Sequence, residues 1–146
     1  ALAEINRVLK PGGSFALSVP RFGPEWLCWK LSDEYHANEG GHLRIFKANA
    51  LRAEVSQLQL EHLDEHHAHA LHSPYWWMKC ALWDSQDNSR LIKAYHRLLV
   101  WDMMDNPRIT KLAEKLMNPL FGKSVVMYFR KPAATRSPEA MKRKAA

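Results

Sequence analysis

Lys10-Pro11-Gly12-Gly13 divides two segments of opposite periodicity, and no other four residues restrict the fold as much. Ahead of it, Leu2, Ile5, Val8 and Leu9 recur at helical spacing, while Glu4, Asn6, Arg7 and Lys10 occupy the other side. Pro11 disfavours helical backbone at Lys10, and the two glycines supply the dihedrals that reverse the chain. Beyond the turn, "SFALSV" sets Phe15, Leu17 and Val19 on one face and Ser14, Ala16 and Ser18 on the other. Large residues on one side and small ones on the other predict a strand covered on both faces, the small side admitting a close-packed helix. A helix, a tight turn and a buried strand in that order predict a parallel α/β sheet.

The rest of the chain extends this pattern. A helix is predicted from Glu25 to about Tyr35, with Trp26, Trp29 and Cys28 on its apolar side, ended by "NEGG". After a short extended piece, Leu51, Val55 and Leu58 mark the stripe of another helix. In "LQLEHLDEHHA" the alternation of Leu58, Leu60 and His62 predicts a strand whose end passes into loop. About residues 74–121 form an aromatic insertion read as three helices, with Asn88 or Ser89 capping the second and Pro107 in the first turn of the third. Within it, Leu91, Ile92, Tyr95, Leu98 and Leu99 make the clearest buried stripe. "KSVVMYFRKP" closes the ordered part as a strand between Gly122 and Pro132.

At 146 residues and 47% hydrophobic, the chain has the size of one domain with an adequate core. The net charge of +6 suggests nucleic acid until the charge is located. Six cations, Arg130, Lys131, Arg136, Lys142, Arg143 and Lys144, lie in residues 130–146 against the single acid Glu139, so the body is nearly neutral. Residues 133–146 are expected to form a disordered basic tail, and no nucleic-acid partner is expected. Cys28 and Cys80 show no disulfide spacing, which fits a reducing, cytoplasmic setting. Neither a signal peptide nor a membrane span is expected.

"LAEINRVLKPGGSFALSVP", followed by "GGHLRIF", resembles the C-terminal half of a class I S-adenosylmethionine-dependent methyltransferase of the type 11 group. "LQLEHLDEH" and "KSVVMYFRKP" are similar to that family's sixth and seventh strands. The resemblance covers about residues 1–66 and 122–132. It implies an α/β fold: strands five to seven of a Rossmann-like, doubly wound methyltransferase sheet, with a helical insertion before an antiparallel last strand. Residues 1–132 would then be a partial methyltransferase domain. The family's cofactor cradle is a glycine-rich loop after its first strand, and this chain contains no Gly-x-Gly pattern. The expectation is therefore a C-terminal fragment that uses S-adenosylmethionine only in the full-length protein, binds it poorly alone, and leaves its first strand as an unpaired edge.

The implied activity is methyl transfer to a small, apolar acceptor, with no cofactor-binding residue and no metal ligand expected in this chain. Candidates for the acceptor side come from the end of the first strand and the loop after it: Arg21, Trp26, Tyr35, His36 and His42. His42 and Arg44 resemble the family's His-x-Arg, and His42 has two readings, a substrate-side group or a loop brace. The run His62, His66, His67, His69 and His72 raises zinc against a solvated strand end. The aromatic helices are either a lid over the acceptor or a core or oligomer interface, the sheet edge offering a second route to a homo-oligomer. The competing function is a non-catalytic module that binds a partner protein or a membrane surface through those helices.

Overall fold

A computed structural model of the chain describes residues 1–37, 42 and 44–133. The first helix, α1 (Leu2–Val8), stops before Pro11, and Gly12 takes a left-handed φ of 79°. A side chain at Gly13 would meet the Lys10 carbonyl at 2.8 Å, so this reversal has room only for glycine. Strand β1 (Ser14–Pro20) leaves the turn, α2 (Phe22–Leu31) and α3 (Asp33–Ala37) follow it, and α4 (Ala48–Ser56) leads into β2 (Glu61–Ala68). The insertion is α5 (His72–Ala81), a 3-10 turn, α6 (Arg90–Asp105) and α7 (Arg108–Phe121), and β3 (Ser124–Arg130) is the last described element. The predicted tail and the "NEGG" break lie outside the described residues.

The sheet order is β1-β3-β2, with β3 antiparallel to both neighbours. Among the described residues the sheet is antiparallel rather than the parallel one that the first segments predict, because β1 pairs with the last described strand, which the resemblance expects to be antiparallel. Phe15 stands opposite Phe129 and Leu17 opposite Met127. Alternation then sends Val125, Met127 and Phe129 to one face, where they are fully buried against Leu51, Val55 and Leu60. The other face of β1 is open: Ser14, Ala16 and Ser18 are exposed, so the expectation of cover on both faces fails here. Strand β1 lies at the sheet edge, and one parallel bridge, between Arg21 and Phe46, adjoins its C-terminal end.

Local chemistry explains where elements differ from expectation. The predicted helix over 25–35 breaks at Ser32, whose Oγ accepts the Tyr35 amide at 3.0 Å and starts α3 as a new helix. Leu58 and Leu60 precede β2 rather than belonging to it, because Gln59 adopts a left-handed φ of 61° after α4. The strand ends at Ala68, the last residue of the predicted segment, with His66 and His67 paired in it rather than in a loop. Ser89 caps α6, accepting the Ile92 amide at 3.4 Å, while Pro107 stands one residue ahead of α7. Ile92 and Leu99 are buried as predicted, whereas Leu91 turns to solvent. Gly122 allows the end of α7 to touch β2, since an added Cβ would lie 2.6 Å from that of His67.

Candidate functional site

Where β1 ends, two segments distant in sequence converge. The Arg21 amide donates to the Lys123 carbonyl at 2.8 Å, which sets the first turn of α2 beside the residue preceding β3. Glu25, in that turn, is completely buried. An ionised carboxylate there must be compensated, and three groups gather to do so. Lys123 Nζ donates to Glu25 Oε2 at 2.8 Å, Tyr35 Oη donates to Oε1 at 2.8 Å, and His42 Nδ1 lies 2.7 Å from the same oxygen. Lys123 also lies over the rings of Trp76, at 5.2 Å, and Tyr35, at 6.0 Å.

These contacts decide protonation. Burial alone would raise the Glu25 carboxyl; the Lys123 bond and charge, with the Tyr35 and His42 bonds, outweigh it and hold it below the usual carboxylate range. Burial first, then the bond to Glu25, pushes the Tyr35 phenol well up, so it remains a donor. Because an ionised carboxylate can only accept, His42 Nδ1 carries the proton, and in the neutral ring the lone pair sits on Nε2. The His42 side chain is 42% exposed, so that nitrogen can meet a partner from solvent. Beneath the carboxylate, Cys28 and Cys80 are buried free thiols, and Cys80, donating to Cys28 and shielded from water, is pushed up.

Of the five residues predicted from sequence, Tyr35 and His42 meet on Glu25. The other three are placed elsewhere. Arg21 donates from Nη1 to the carbonyls of Pro119 and Leu120, at 3.2 and 3.1 Å, and so caps the C-terminus of α7. His36 packs on Trp29, with ring centroids 4.3 Å apart, and Trp26 is exposed with Lys30 over its ring. Glu25 and Lys123 escaped the sequence reading. The available signal was one carboxylate inside the apolar run "GPEWLCW", which a solvent-facing helix position does not require.

The histidine run is dispersed by β2: His62 meets Phe129 edge-on, His66 stacks on Tyr128, and His69 and His72 face each other beyond the strand. Among the described residues no three His, Cys, Asp or Glu side chains gather to hold a metal. Trp76, Trp77 and Trp83 pack against Cys28, Tyr35 and Cys80 as a second core, and Trp77 Nε1 donates to the Pro24 carbonyl at 3.0 Å. An open groove of about 990 Å³ between α5 and α6, lined by Tyr75, Lys79, Arg90, Lys93 and Arg97, lies on the insertion and includes none of the Glu25 cluster. No described helix is long and apolar enough to cross a membrane.

Among the described residues no glycine-rich cradle for S-adenosylmethionine is formed. Gly12 and Gly13 lie at the N-terminal end of β1, Gly122 is filled by contacts to α7 and β2, and Gly23, in the open first turn of α2, is a single glycine rather than a loop. Comparison of the chain with protein-family models, with curated proteins and with solved structures returned no match.

Proposed function

We propose that this chain supplies the acceptor side of an S-adenosylmethionine-dependent methyltransferase, the cofactor cradle being contributed by residues other than these. The observation that carries this reading is the joint occurrence of the Lys-Pro-Gly-Gly turn before β1 and a last strand inserted antiparallel between the two earlier ones. The order β1-β3-β2 is what strands five, seven and six of the resembled sheet would present. In such sheets ligands bind at the C-terminal ends of the strands, and the Glu25 cluster lies at that end of β1.

A protic acceptor must lose its proton as it is methylated, and His42 Nε2 is the group here to take it. Glu25 holds the imidazole through Nδ1 and stabilises the positive ring that results. Glu25 is thus a positioning residue, with Lys123 and Tyr35 keeping it ionised and in place.

The test is to read the coding DNA in frame upstream of the Ala1 codon and to assay the product of that whole frame. A strand followed by a glycine-rich loop, and transfer of tritiated methyl groups that falls at least tenfold in kcat with His42→Ala, are the expected results. A frame without such a loop, or a product that neither binds nor consumes the cofactor, overturns the reading.

A further inference from the structure

Helix α7 is turned the wrong way round for a helix with nothing outside it. Ile109, Leu112, Leu116 and Leu120, spaced to share one face, are 69%, 58%, 69% and 70% exposed. The inward side holds polar groups: Thr110 is buried, Asn118 Oδ1 accepts the Ala70 amide at 3.0 Å, and Glu114 Oε1 is buried without a partner among the described residues. Burying that carboxylate oxygen while exposing four large aliphatic residues is costly in water and reverses the usual arrangement. Arg108, Lys111 and Lys115, all exposed, border one edge of the stripe, and Glu114 is the only acid in the helix.

We infer that α7 lies on an anionic membrane surface, its aliphatic stripe in the acyl boundary and Arg108, Lys111 and Lys115 among the headgroups. Charge selects this occupant. A second copy of the chain would bring the same cations into the interface with no acid on the outward face of either α7 to meet them, since Glu114 turns inward. Residues 134–146 are themselves basic and contain Met141 as their one large apolar side chain, so they complement neither the edge nor the stripe. An anionic lipid surface complements both. The inference is independent of the methyl-transfer reading, since it uses no residue of the Glu25 cluster.

The experiment is flotation of the full chain with phosphatidylcholine vesicles, with and without 30% phosphatidylglycerol (about one lipid in three, enough for a strong negative potential). The wild-type chain should float with the anionic vesicles and little with the neutral ones. Leu112→Ser with Leu116→Ser should weaken binding by about tenfold or more, and Lys111→Glu with Lys115→Glu on the order of tenfold. Both pairs are exposed, so unchanged thermal unfolding separates lost binding from lost folding. Binding untouched by the serine pair would assign it to the basic tail and overturn the inference. A concentration-dependent dimer that the serine pair dissociates, with no vesicle binding, would assign the stripe to a second copy and equally overturn it.

Discussion

The protein has two cores of different physical kind. The sheet core, Leu51, Val55, Leu60, Val125, Met127 and Phe129, is apolar throughout and is held by shape and dewetting. The core between α2 and α5 is built from aromatic rings and thiols around an ion pair, Glu25 and Lys123. In the first, each residue contributes its own burial. In the second, each polar partner is required by the others, because removing one strands a charge in a place without water. Stability in the two regions should therefore respond differently to single and paired substitutions.

The largest effect is expected in the helical core. Glu25→Ala leaves Lys123 buried and uncompensated and should cost about 3–5 kcal/mol in urea unfolding. The double variant Glu25→Leu, Lys123→Met should recover most of that loss; additive losses would mean that the pair is not coupled and the contrast is mistaken. In the sheet core, Leu51→Ala should cost about 2–5 kcal/mol, with no second substitution able to restore it except one that refills the space.

Acid offers a separate test of the same contrast. The folded carboxyl of Glu25 lies below its unfolded value near 4.5, so between those values the unfolded chain binds more protons and stability rises with pH. Its contribution is complete above about pH 4.5 and disappears as pH falls through the folded value. Subtracting the pH profile of Glu25→Gln from that of the wild type should isolate a loss confined to this acid limb, and a difference that is flat with pH would remove Glu25 from the account.

Smaller effects sharpen the boundaries. Ser89→Ala should cost about 0.5–1 kcal/mol, as the loss of one long capping bond, measured by thermal unfolding. Leu116→Ala in α7 should change stability by less than about 0.5 kcal/mol, although the same substitution type in α4 is severe. A large cost at Leu116 would mean that the α7 stripe is packed in the isolated chain.

The sheet region was the legible part. The Leu51 and Val55 stripe, the helix stop at Pro11 and the strand over 124–130 follow from local periodicity and backbone restriction, which act through neighbours in sequence. The helical core was hidden. Tyr35 and His42 stand out as polar residues after the first strand, but the one carboxylate in "GPEWLCW" does not announce its partner, because Lys123 comes 98 residues later. Arg21, at the end of the first strand, is expected to face the crevice, yet it caps α7, a contact across a separation of 98 residues that no local pattern announces.

Sequence alone determined the reversals and the faces: a proline and two glycines restrict φ and ψ wherever they stand, and apolar spacing marks which side of an element can be buried. Only the tertiary structure decided which marked faces were covered. It closed β1 against the last strand, buried Glu25 because Lys123 could reach it, and left the α7 stripe open. Propensity acts between residues a few positions apart, whereas burial is settled by whatever distant segment arrives to exclude water, and a charge can stay inside only when its counter-charge arrives with it.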